Sequence, residues 1–383
     1  MMLEIGVVVH GPGIIDSGYA LKIIKILENY GNVTSRLGGT MGRTAVIDAN
    51  LEDIINIEDK LLPSESIKIL AENSDVVFLL NSGKSTLTGH TFGYKVLSHI
   101  DFNVNLIQIE RPDKDDGIII KWNKNTDNEL IESVSCDLKL PITDAEDVEN
   151  QVVDETGYIT DENIIKRKVA GVNIGENIML NGTIIGQVTA DELIIIAKDD
   201  EIVDMQGGVI KQHGLEKLGS VDLKSAIIKT GLLRRNDNIT PRVLKHQENE
   251  ELYAIYLDHA AEDVYKYRDA DVIVCIGDDT TLLTSDIVYR FNIPIIGITD
   301  GDLDRVVVEG FKHEKSTIIQ LTPGHDDKIG KVIHEKIFNM KNSVNINSID
   351  QLKDNIIEII NKSDIEYEFK FENETKLWKI FFY

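Results

Sequence analysis

Cysteine is almost missing from this chain: 383 residues carry two, Cys136 and Cys275. Two thiols so far apart make neither a disulfide framework nor a metal-type pair, which fits a reducing compartment. Cys275 lies in the apolar run Val272–Ile276 and reads as a small buried side chain. Basic residues are also scarce, 40 Lys and Arg against 65 Asp and Glu, for a net charge of -25. Such a surface is repelled by a phosphate backbone, so whole-surface binding to nucleic acid is excluded. Long apolar runs are absent too. The longest are short strings such as Val76–Leu80, far below the roughly 18 residues of a membrane span. At the N-terminus, Glu4 and His10 bracket only five residues, too few for a secretory signal. What is present is an ordinary globular composition, 42% hydrophobic with 28 Gly. The expectation is an acidic cytoplasmic protein with no membrane and no nucleic-acid partner. At about 150 residues per domain, two or three domains follow.

The hydrophobic pattern gives an α/β protein. Ile5–Val9, Val33–Leu37, Val76–Leu80 and Val104–Ile109 are short buried-type strands. Helix-like segments alternate with them, at Ala20–Leu27, Ser64–Asn73 and Thr88–His99. That βαβ alternation predicts a mostly parallel sheet covered by helices. Between 137 and 164 lie nine acidic residues and, after Lys139, no basic one, which reads as a solvated connection with room for partial helix. Short β-type runs follow, with Asn181-Gly182 between two of them as a hairpin signal. Alternation returns with Val272–Ile276, Thr281–Arg290, Ile293–Ile298, Ser316–Leu321 and Lys328–Phe338. The last residues suggest a helix at Ile349–Ile360 and a hairpin around Asn373-Glu374. The predicted organisation is two Rossmann-like parallel-sheet lobes (1–128 and 241–340), an acidic connection (129–165), a β-rich module (166–240) and a C-terminal α+β extension (341–383).

Three segments can carry chemistry. Gly277-Asp278-Asp279-Thr280-Thr281 lies between a buried strand and a helix, and open parallel sheets bind ligands beyond the carboxyl ends of their strands. The next strand ends in Thr299-Asp300-Gly301-Asp302. Carboxylates gathered at one sheet edge repel unless a divalent cation or a proton is shared. Asp278, Asp279, Asp300 and Asp302 are therefore the expected metal ligands, with Mg2+ the natural guest for hard oxygens. Single aspartates in such turns also serve as helix caps or Asx turns, the alternative reading here. A second segment, Gly83-Lys84-Ser85 after a buried strand, suits an anion at a helix start. It lacks the first glycine of a P-loop, whose place falls on Phe78. The third pairs Gly11-Pro12-Gly13 with Gly38-Gly39-Thr40-Met41-Gly42-Arg43. Arg43 or Arg36 there could meet a phosphate or carboxylate in bidentate fashion, and tight turns are the competing explanation. The nine histidines form no H-x-x-x-H or H-E-x-x-H pattern. His10 and His259 are the suggestive ones, each more simply structural.

Residues 272–304 resemble the glycine–aspartate loop region of the NAD kinase and diacylglycerol kinase superfamily. Gly277, Asp278 and Thr280 match that pattern, whereas Ile276 and Asp279 stand where it has glycine. The resemblance implies that Asp278 acts at a nucleotide phosphate and an attacking hydroxyl. Across its length the chain also resembles an uncharacterised family of methanogenic archaea, through HGPGIIDSG, LGGTMGRTAVIDA and IGDDTT…IPIIGITDGD. That likeness implies a cytoplasmic archaeal setting and no particular activity.

The expected function is binding of a nucleotide or phosphorylated metabolite in a cleft between the lobes, extending to Mg2+-dependent phosphoryl transfer with Asp278 as catalytic base or metal ligand. The expected ligand-binding residues are Gly11, Gly13, Gly39, Thr40, Arg43, Gly83, Lys84, Ser85, Gly277 and Thr280. A non-catalytic binding or assembly protein with an acidic docking surface is the competing class.

Overall fold

The computed structural model describes residues 2–40, 42–123, 128–156, 158–161, 163–169, 171–231, 239–245, 249–258, 261–301 and 310–372. The chain is α/β and divides into two compact units, Met1–Thr240 and Pro241–Tyr383.

The first unit opens with β1 (Leu3–His10), the short α1 (Gly13–Asp16), α2 (Tyr19–Leu27), β2 (Gly31–Gly38), α3 (Arg43–Asp48), β3 (Ile55–Asn56) and α4 (Pro63–Ala71). It continues with β4 (Val76–Asn81), α5 (Thr86–Ser98), β5 (Leu106–Glu110), β6 (Ile118–Lys121), α6 (Asn128–Leu138), β7 (Ile142–Asp144) and α7 (Ala145–Thr156). Its seven-stranded sheet runs β3-β2-β1-β4-β5-β6-β7 and is parallel throughout except at β5–β6. Both faces are buried, which is why β1 and β4 read as continuous apolar runs. Ile5, Val7 and Val9 point into one core with α2 and α6, while Val8, Val77 and Leu79 point into the other with α4, α5 and α7.

The acidic stretch of the expected connection over 129–165 holds α6, β7 and α7. Leu130, Ile131, Val134 and Leu138 lie on one face of α6 and are buried against the sheet. Val148 and Val152 of α7 are buried on the opposite face of the sheet. Glu129, Glu132 and Asp137 of α6 and Glu146 and Asp147 of α7 are exposed. High charge hid an amphipathic spacing that was present all along.

The β-rich module contains β8 (Tyr158–Asp161), β9 (Ile164–Val169), β10 (Asn177–Leu180), β11 (Thr183–Val188), β12 (Leu193–Lys198), β13 (Glu201–Gln206), β14 (Gly208–Ile210), α8 (Gln212–Leu218) and β15 (Ile228–Thr230). It forms two four-stranded sheets, β14-β11-β10-β15 and β13-β12-β9-β8, around a core that includes Ile178, Ile185, Ile195 and Leu223. The turn joining β10 to β11 is Asn181-Gly182, with φ of 49° and 88°. Both central residues take positive φ, as a two-residue hairpin turn of this kind requires.

The second unit has β16 (Tyr253–Leu257), β17 (Val272–Ile276), α9 (Asp278–Val288), β18 (Ile295–Thr299), β19 (Thr317–Leu321), α10 (Asp326–Lys336), β20 (Ser343–Asn345), α11 (Ile349–Lys362) and β21 (Tyr367–Phe371). The strand order is β20-β16-β17-β18-β19-β21, with four parallel strands flanked by an antiparallel strand at each edge. One face packs on α10 and α11. Cys275 is wholly buried, and burial pushes its thiol up to about 12, as expected for an inert core residue. β21, the first arm of the expected C-terminal hairpin, pairs with β19, and the turn at Asn373-Glu374 and the second arm, 377–382, lie outside the described residues.

β4–α5–β5 and β17–α9–β18 share one plan, a buried strand, a polar loop, a helix and an adjacent parallel strand. The sheets differ beyond it: strand order reverses around β1 in the first and runs consecutively from β16 to β19 in the second.

Candidate functional site

Three parallel strands of the second unit, β17, β18 and β19, deliver their carboxyl ends to one edge of the sheet. The chain leaves β17 through Gly277, whose φ of 94° is open to glycine and strained for other residues. That turn starts α9 with Asp278, which is buried. The chain leaves β18 directly into Asp300, also buried. Asp300 Oδ2 accepts a 2.6 Å hydrogen bond from Gly324 N, which ties the loop after β19 to the end of β18. Two residues later α10 begins at Asp326.

As a result Asp278, Asp300 and Asp326 each offer a carboxylate oxygen, and these three oxygens lie within 4.8 Å of one another. A Cβ placed on Gly277 would sit 3.8 Å from Asp326 Oδ2 and 3.9 Å from Thr280 Oγ1, ordinary contact distances, so the turn runs beside both oxygens. Hard anionic oxygens at this spacing suit Mg2+ or Mn2+, which prefer oxygen ligands. Two helices, α9 and α10, also point their N-terminal ends at the edge, and the positive ends of their dipoles favour negative groups.

Asp278 and Asp300 therefore converge as expected. Asp279 follows in the first turn of α9 and is not part of the three-oxygen group. Asp302 lies outside the described residues, as do His259 and Met41. Asp326 was missed. Its signal was present in Leu321-Thr-Pro-Gly-His-Asp-Asp, a strand, a glycine turn and an acid at a helix start, the same grammar as Gly277-Asp278.

Arg36, Arg43 and Lys84, the basic residues expected to meet an anion, are held by protein groups. Arg36 Nη2 donates to Asp59 Oδ2 at 2.8 Å, and Arg43, buried in α3, donates through Nη2 to Glu58 O at 3.4 Å. Lys84 Nζ reaches Glu176 Oε2 at 2.6 Å and Thr230 Oγ1 at 2.8 Å. Ser85 caps α5, its Oγ accepting from Thr88 N at 3.3 Å. One first-turn amide of that helix, Thr88 N, is thus engaged by its own cap. Gly83 lies close to Glu110, to whose Oε1 its N–H donates at 2.7 Å. Gly11 and Gly39 take positive φ at the ends of β1 and β2, with Gly13 beside Ser82 and Thr40 in the turn after Gly39.

A family described as "Uncharacterized protein conserved in archaea (DUF2117)" matches residues 7–341. The chain belongs to this family. It is 44% identical over 372 residues to "Uncharacterized protein MJ0065" of Methanocaldococcus jannaschii, which covers 96% of this chain and 99% of the relative. No solved structure matches the chain. The matched region spans all three aspartates. Among the described residues no helix is long and apolar enough to cross a membrane.

Proposed function

We propose that the second unit binds a small phosphorylated ligand, a nucleotide or a phosphorylated metabolite, through a divalent cation held by Asp278, Asp300 and Asp326. The observation that supports this is the meeting of three carboxylate oxygens within 4.8 Å at the ends of adjacent parallel strands. Three like charges in a largely buried setting repel, and a shared dication removes that repulsion. The same charges would repel a bare phosphate, so the anion arrives with the metal or after it. Mg2+ bound by three carboxylate oxygens keeps positions for phosphate oxygens and water. The helix N-termini of α9 and α10 favour an anion on the same edge. Asp278 begins α9 next to Gly277, whose lack of a side chain lets a ligand approach the backbone. In this reading Asp278 ligates the metal or, in phosphoryl transfer, accepts the proton of the attacking hydroxyl.

Calorimetric titration tests the reading, with Mg2+ and Mn2+ alone and then with ADP or ATP added. Binding of the metal alone is expected, and nucleotide heat is expected only in its presence. Asp278→Asn and Asp326→Asn are expected to weaken both. If neither cation binds the folded protein, the reading fails.

A further inference from the structure

A different polar row lies at the carboxyl edge of the seven-stranded sheet. Gly38, His10, Asn81 and Glu110 are successive register partners at the ends of β2, β1, β4 and β5. Strand order reverses between β1 and β4, and loops leaving such a pair open a crevice beyond the strand ends.

The row fixes a proton. Glu110 is wholly buried, and its oxygens accept from Gly83 N at 2.7 Å, Asn81 Nδ2 at 2.8 Å and Gln108 Nε2 at 2.7 Å. Gln108 Oε1 in turn accepts from Trp122 Nε1 at 3.0 Å. With its amide nitrogen on the carboxylate, Asn81 presents Oδ1 to His10 Nδ1, 2.9 Å away. That oxygen can only accept, so Nδ1 carries the hydrogen and Nε2 is left as a lone pair.

The remaining surroundings keep that lone pair available. Phe92 stacks on the ring at 3.9 Å between centroids. A Cβ on Gly39 would lie 3.7 Å from Nε2, so the absence of a side chain leaves that flank open. His10 is half-buried, and nothing among the described residues hydrogen-bonds to Nε2. Burial, aided by the positive charge of Lys229 on β15, lowers His10 to about 4, against the hydrogen bond it donates to Asn81, and keeps the ring neutral at neutral pH.

The fold makes room for the row at a cost. Gly89 and Gly93 lie four residues apart on α5, where glycine is about 1 kcal/mol worse than alanine. A Cβ on Gly89 would collide with the Glu110 carboxyl, and one on Gly93 with Gln108 Oε1. A buried carboxylate is also less stabilising than an apolar side chain of similar volume. Polar groups kept under such conditions mark sites of function.

We propose that this edge is a second ligand site, in which His10 Nε2 accepts a hydrogen bond from a hydroxyl or amine of a small anionic molecule seated at the Gly11–Gly13 and Gly38–Gly39 turns. Lys229 supplies the attraction for the anion. The site uses no residue of the second unit and needs no metal.

The test uses the full chain labelled with 15N-histidine, in metal-free buffer. Long-range proton–nitrogen spectra report the tautomer, and diethyl pyrocarbonate, which attacks neutral imidazole nitrogens, reports access to Nε2. His10 is expected in the Nδ1–H form and to be modified at mildly acidic pH, where ordinary histidines are protected by their charge. Glycerol 3-phosphate, 3-phosphoglycerate or AMP is expected to slow that modification several-fold more than sulfate does. Glu110→Gln frees the Asn81 amide to turn over and is expected to shift His10 toward the Nε2–H form. The wild-type measurements decide alone if that variant does not fold. An Nε2–H tautomer in the wild type, a His10 inert to the reagent, or no greater protection than sulfate gives overturns the proposal.

Discussion

Lys84 Nζ stands 2.6 Å from Glu176 Oε2, and through that pair the loop after β4 is fastened to the β-rich module. The Glu176 side chain is 4% exposed and that of Lys84 40%. Burial works against the Glu176 charge, but hydrogen bonds from Lys84 and Asn173 outweigh it and hold the carboxyl below the usual range. The lysine of the Gly-Lys-Ser segment is thus the counterion of a buried carboxylate.

Lys84→Met should destabilise the first unit by about 1–3 kcal/mol, because Glu176 loses its cation while staying buried. The double variant with Glu176→Gln should recover part of that loss. Urea denaturation at neutral pH checks it. Because the folded carboxyl titrates low, its contribution is present above the ordinary glutamate value of 4.5 and is lost as pH falls below it toward the lowered folded value. Lys84→Met should lack that acid-side loss.

Gly89→Ala runs against helix propensity. Alanine gains about 1 kcal/mol in a helix interior, yet the new methyl meets the Glu110 carboxyl. Overpacking of about 1–3 kcal/mol should win, and the variant should melt below the wild type. In a Glu110→Ala background the methyl enters vacated space, so the same substitution should become neutral or stabilising, a coupling that a double-mutant cycle measures.

Asp326→Asn separates the two consequences of the aspartate group. Without metal it relieves repulsion, so the melting temperature should stay level or rise. With Mn2+ the affinity should fall by about tenfold or more, and the gain in melting temperature with added cation should shrink. Calorimetry and thermal melts on one sample check both signs.

His10 gives a pH signature. Its folded value is lowered from 6.5 to about 4, so the folded state binds fewer protons than the unfolded state in between. Stability should therefore be fully present above about 6.5 and should decline as pH falls toward about 4. In His10→Asn that part of the slope should disappear. Urea midpoints across this window measure the difference.

The local pattern determined much of the molecule. Apolar runs placed β1, β4, β17 and β18, and Asn181-Gly182 placed the turn between β10 and β11, because side-chain periodicity and positive φ are properties of neighbouring residues. Local grammar also put Asp278 after a buried strand and before a helix. It left the helices of the acidic stretch unplaced, because charge masked the buried stripe of α6. What tertiary structure decided is which strand ends meet. Asp326 joins Asp278 and Asp300 because β17, β18 and β19 are neighbours, and His10 reaches Asn81 and Glu110 because β1, β4 and β5 are neighbours with their ends in register. Strand order and register come from packing across the whole sheet, so a site assembled from the ends of several strands exists only once the sheet has formed.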